Sequence, residues 1–140
     1  MKLRSRLPIL AAMKLLLFSV AIAPSLAQDS LQRKTQQVNC DTPQTTMEMN
    51  ICASREYQAA DRKLNSVYQA LRPRLSRQQQ KRMTDAQLAW IRFRDATCAY
   101  EKGQFEGGTM AGPIGTSCLA RITQQRTKEL EGYLQDINNR

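Results

Sequence analysis

Two interruptions do most to restrict how this chain can fold. Pro73 is one. The other is the run GQFEGGTMAGPIG at residues 103–115, with five glycines and a proline. Between and beyond them, apolar residues recur at steps of three and four, the spacing that lines one face of an α-helix. The first run predicts a helix over residues 47–71 with the stripe Cys52, Tyr57, Ala60, Leu64, Val67, Tyr68 and Leu71. Thr45 or Thr46 can cap it, and Glu48 suits its positive first turn. Pro73 cannot continue a helix, and Ser76 with Gln79 three residues on is a capping-box signature. A second helix is therefore expected over residues 77–102, with Met83, Ala86, Gln87, Trp90, Phe93, Arg94, Thr97 and Cys98 on its inner face. The glycine run reads as a shaped loop. A third helix over residues 114–137 carries Leu119, Ile122, Arg126, Leu130, Tyr133 and Ile137. With no strand-like alternation anywhere, the fold class is all-α: a small three-helix domain made of a long helical hairpin plus a third helix.

The start of the chain has a different character. Lys2, Arg4 and Arg6 precede the apolar LLLFSVAIA, and Ser25 and Ala27 fit a small-x-small cleavage site. Residues 1–27 read as a signal peptide, residues 28–39 as a polar, flexible lead-in, and residues 40–140 as the helical domain. No cysteine follows the cleavage site, so a lipid anchor is not supported. Export to the periplasm or the medium makes the four cysteines informative, because an even set in a small exported protein forms disulfides. Four cysteines allow three connectivities. We expect Cys40 with Cys52 and Cys98 with Cys118, each closing a short loop, while Cys52 with Cys98 is a serious rival. Zinc is disfavoured: the chain has no histidine, and 11, 45 and 19 residues separate successive cysteines.

The hairpin also works as a ruler. A helix rises about 1.5 Å per residue, so counting from the turn puts Cys52 and Cys98 at one height. If the third helix returns beside the first, all four cysteines gather at one end, stapling it with two disulfides. Eight or nine residues below them, Asp61, Trp90 and Arg126 share a level, with Arg94 one turn above. Arg126 interrupts an apolar stripe and Asp61 borders one, so the expected arrangement is a structural ion pair beside Trp90.

Enzymatic chemistry finds little support. There is no histidine base, the cysteines are expected to be bonded, and no pair of carboxylates is fixed across a groove. No cofactor or metal is expected. Nucleic acid is not an expected partner, since export removes it and the basic residues lack interleaved aromatics. The net charge is +9; removing the leader takes away Lys2, Arg4, Arg6 and Lys14 and no acid, leaving +5 (17 basic against 12 acidic residues). Arg72, Arg74, Arg77, Lys81 and Arg82 cluster around the hairpin turn as a basic pole. Asp41, Glu48, Glu101 and Glu106 make the cysteine-bearing end acidic by comparison.

The strings MNICASREYQAADRKLNSVY, AQLAWIRFRDATC, GGTM and SCLARITQQRTKEL, in that order, resemble the LprI-like family of lysozyme inhibitors over about residues 40–130. The separated signatures include Met49 with Asn50, Tyr57, Asp61, Asn65, Tyr68, Gln87, Trp90, Phe93 to Asp95, Gly107 with Gly108, and Arg126. The resemblance implies a helical, disulfide-bonded envelope protein that binds a protein partner, a lysozyme, without being an enzyme. C-type lysozymes are strongly basic, so a +5 partner meets long-range repulsion unless its acidic end leads. On that argument Glu101, Phe105, Glu106, Gly107, Gly108, Thr109 and Met110 are the candidate contact. The alternative is an envelope module whose basic pole, Arg72 to Arg82, takes an anionic polymer or lipid.

Overall fold

The computed structural model describes residues 38–139. Three long helices fill almost all of that span: α1 (Thr46–Leu71), α2 (Arg77–Gly103) and α3 (Ala111–Asn138), with a single 3-10 turn, Arg72–Arg74, between the first two. Residues 1–37, which hold the expected signal peptide and most of the expected lead-in, lie outside the described residues.

Local chemistry sets the boundaries. Thr45 accepts from the Glu48 amide at 3.1 Å, and the Glu48 carboxylate accepts from the Thr45 amide at 3.1 Å, closing a capping box at the start of α1. Ser76 and Gln79 do the same for α2, at 3.3 and 2.9 Å. Each box satisfies amides that the first helical turn leaves without a partner. The third start differs from expectation. Gly112, Pro113 and Gly115 are helical, so the glycine run shrinks to a loop over residues 104–110. Pro113 sits in the first turn, where its missing N–H costs nothing. Gly115 packs closely on α2: a Cβ there would lie 3.2 Å from Cβ of Lys102, closer than most such contacts.

α3 is the central helix. It runs parallel to α1 and packs closely along it, lies more loosely against α2, and leaves α1 and α2 little direct backbone contact beyond the turn. The side chains record this register: Gln124 donates to Glu56 at 3.0 Å, and Lys63 pairs with Glu131 at 2.9 Å. The hairpin expected of α1 and α2 is therefore splayed, because the stripes of both face α3 rather than each other. Leu64, Val67, Leu71 and Leu130 form the core near the turn, and Cys98, Cys118 and Ile122 form a second near the opposite end. Trp90 packs against both. Of the stripe expected on α2, Ala86 and Phe93 face solvent, as does Tyr133 on α3.

Both disulfides join the expected partners, Cys40 to Cys52 and Cys98 to Cys118, with Cα atoms 5.4 and 5.5 Å apart. The first holds the segment before α1 against it. The second fastens the end of α2 to the start of α3.

Candidate partner-binding site

Among the described residues, the disulfide end presents the one substantial loop between helices. Over residues 104–110 the chain turns repeatedly on itself: Phe105 N–H donates to the Lys102 carbonyl at 3.0 Å, Glu106 to Gly103 at 3.2 Å, and Gly108 to Phe105 at 3.0 Å. Gly107 takes φ 78°, the left-handed region that a side chain would disfavour. With the Cys98–Cys118 bond behind it, the loop has a defined shape. Phe105 is 45% exposed. Glu106, Gly107, Gly108 and Thr109 are exposed and Met110 is half-buried. Beside them a shallow cavity of about 370 Å³ is walled by Ala99, Lys102, Glu106 and Ala111.

Charge at this end is more balanced than the sequence suggested. Glu101 is held by Arg121 on α3, Nη2 to Oε1 at 2.6 Å, so it is not a free acidic group. Glu48 is committed to its capping box. Arg55 donates to the Val38 carbonyl at 3.2 Å, bringing a further cation to the Cys40 disulfide. Of the four acids expected there, Asp41 and Glu106 are the ones left exposed, and Arg121 and Arg55, one turn from Cys118 and Cys52, bring cations to the same end.

At the turn, Arg72, Arg74, Arg77 and Arg82 are exposed. Arg74 also donates to Asn138 at the end of α3. Lys81 pairs with Asp85 at 2.8 Å, and that hydrogen bond, with the attraction between the charges, raises Lys81 above the ordinary lysine range.

The polar centre is built differently from the expected pair. Arg126 is buried, but its Nε donates to Gln87 at 3.1 Å and its Nη1 to Glu129 at 2.7 Å. Asp61 accepts instead from Asn65 at 3.0 Å. Asp61 faces a cavity of about 200 Å³ between α1 and α2, with Tyr68, Gln87, Trp90 and Arg94 on its walls. Gln87 borders that cavity and also accepts from Arg126, occupying the place where the two charges were expected to meet. Arg94 lies over the Trp90 ring, 5.1 Å from its centroid, and 5.9 Å from that of Tyr57. Its guanidinium is paired with Asp95 at 2.8 Å. The tryptophan flanked by arginines is thus a joint between two cores, closed on one side by a cation–π contact.

Among the described residues no cluster of histidine, cysteine or acidic side chains could hold a metal ion, and no helix is long and apolar enough to cross a membrane. Fold and surface together define a class: an all-α domain stapled at one end, with a shaped loop beside the staple. The family described as lysozyme inhibitor LprI matches residues 39–130, and the chain belongs to that family. An uncharacterized protein of Rhizobium meliloti (strain 1021) is 29% identical to it over 142 residues, covering 92% of this chain and 98% of that protein. No solved structure matches the chain.

Proposed function

We propose that this is an exported, non-enzymatic domain, periplasmic or secreted, that inhibits a lysozyme-like enzyme through the loop at its disulfide end. Family membership supports the inhibitor role. The observation that favours this loop as the contact is its combination of internal hydrogen bonds, a disulfide behind it, and an exposed aromatic next to an exposed acid, Phe105 and Glu106. A prearranged loop loses little entropy on docking, an aromatic fills a cleft, and a carboxylate suits a basic target. Residues 107–110 supply the close backbone approach.

The test is inhibition of animal-type and bacterial lysozymes by the purified mature protein. Phe105→Ala and Glu106→Lys should each weaken inhibition by about tenfold. Arg74→Glu with Arg77→Glu should leave it unchanged or improve it. Glu101→Lys is a poorer probe, since it would also break the bond to Arg121. Undetectable inhibition by the unaltered protein at micromolar concentration would reject the reading.

The exposed arginines at the turn favour a second reading, an envelope module that takes an anionic polymer or lipid there. Binding of that kind weakens steeply with ionic strength. Arg74→Glu with Arg77→Glu should then abolish retention on anionic envelope fractions, while the loop variants should not.

A further inference from the structure

α2 is the least covered helix of the three. Its inner side carries Met83, Trp90 and Cys98 against the rest of the domain, and Cys98 is its sole buried residue. Its exposed side is not uniformly polar, as a solvated helix face would be: beside Arg82, Asp85 and Arg92 runs a line of small and aromatic residues. Ala86, Ala89, Phe93, Ala96 and Tyr100 succeed one another at steps of three and four, and all five are exposed. Phe93 and Tyr100 are 60% and 69% exposed. A step averaging 3.5 residues is the seam spacing by which two helices pack along their length. Alanines along such a seam let two backbones approach closely, with the aromatic rings closing over the gap.

We propose that this seam pairs with the same seam of a second copy, antiparallel, about a two-fold axis between Arg92 and Phe93. The charges on the face choose the partner and its direction. Parallel pairing would bring Arg82 against Arg82 and Arg92 against Arg92. Antiparallel pairing about that axis places Ala89 opposite Ala96, Arg92 opposite Phe93, and Asp85 opposite Tyr100. The guanidinium then meets an aromatic face, and the Asp85 carboxylate, one oxygen of which takes Lys81, offers the other to a phenol hydroxyl. Arg82 falls opposite the end of α2, near the loop that carries Glu106. The patch is therefore complementary to itself, the condition for a closed two-fold dimer. The paired stretch is about 20 Å long, which places the interface at the small end for specific association. Each 104–110 loop would lie at an opposite end of the dimer, beside the basic start of the partner's α2.

Sedimentation equilibrium of the mature protein from about 1 μM to about 500 μM should show the mass rising from one chain to two. Ala89→Glu with Ala96→Glu sets like charges against each other across the seam and should hold the protein monomeric throughout, with an unchanged helical circular-dichroism spectrum. Direction is read separately: Phe93→Cys, next to the axis, should oxidise to a covalent dimer, whereas Tyr100→Cys should not. A wild-type mass of one chain at every concentration overturns the proposal, as does a dimer that survives the double substitution or cross-links equally through Tyr100→Cys. No lysozyme enters these measurements, so their outcome is independent of the inhibitor reading.

Discussion

The seam between α1 and α3 and the attachment of α2 are two ways of holding a helix in one small domain. Along the first, Ala53, Ala60, Leu64, Val67 and Leu71 of α1 and Ala120, Thr123, Thr127 and Leu130 of α3 are all buried. Small residues alternate with branched ones, so the two backbones lie close. α2 is held by a few larger anchors: Trp90 between the two cores, the Cys98–Cys118 bond at its end, and the Tyr68 and Thr84 hydroxyls 3.2 Å apart near the turn. A core can thus be concentrated on two helices while a third keeps one face for other uses.

The contrast is broken most directly by truncation. Leu130 is fully buried on α3, whereas Leu88 on α2 is 51% exposed. Leu130→Ala should cost about 2–5 kcal/mol and Leu88→Ala less than about 0.5 kcal/mol in denaturant titrations. Equal losses would mean that α2 is packed as tightly as α3.

The two disulfides should differ as well. Replacing Cys98 and Cys118 with alanine releases α2 from α3 and should lower stability by about 2–4 kcal/mol. The Cys40–Cys52 bond holds a short segment whose residues 39–42 are exposed. Once cut, that segment regains freedom in the folded state as well as in the unfolded one, so the loss should be smaller than for the other bond. Thermal melts of the two double variants compare them.

What the sequence disclosed follows the same division. Periodicity located all three helices, and caps at Ser76 and Thr45 fixed two starts, because these are local properties of the chain. Cysteine pairing followed from loop length, whereas shared height favoured the rival, Cys52 with Cys98. The errors came from which helix faced which. Phe93 and Ala86 continue the apolar rhythm of α2, yet a stripe does not reveal that only one of its edges meets another helix. Arg121 and Arg55 lie three positions from Cys118 and Cys52, so spacing puts both cations at the disulfide end, but it does not encode that one is bonded to Glu101 and the other to the Val38 carbonyl.

Within the tight seam one group is poorly placed. The Thr123 hydroxyl is buried without a hydrogen-bond partner, while its backbone carbonyl accepts from Thr127 at 2.9 Å. Valine has the same shape without the oxygen. Thr123→Val should therefore raise stability by about 1 kcal/mol, since a desolvated hydroxyl is removed and no bond is lost. A loss of that size instead would show that the hydroxyl finds a partner in solution.

The smallest effect concerns Asp61 and Arg126, which lie on opposite sides of Gln87. Had they formed a buried pair, removing one would strand the other and cost about 3–5 kcal/mol. In the structure Arg126 is served by Gln87 and by Glu129, whose side chain is 55% exposed, and Asp61 by Asn65. Arg126→Met leaves no buried carboxylate behind, because Glu129 can turn to water. Its cost should be about 1 kcal/mol, the value of the lost bond to Gln87 partly offset by the apolar side chain. Asp61→Asn keeps a carbonyl oxygen for Asn65 and should cost less than about 0.5 kcal/mol. In a double-mutant cycle the two should add, with a coupling below about 0.5 kcal/mol. A larger coupling would mean that the charges do meet across the cavity beside Trp90, which would add an ion pair between α1 and α3 and widen the distinction between that tight seam and the loosely held helix.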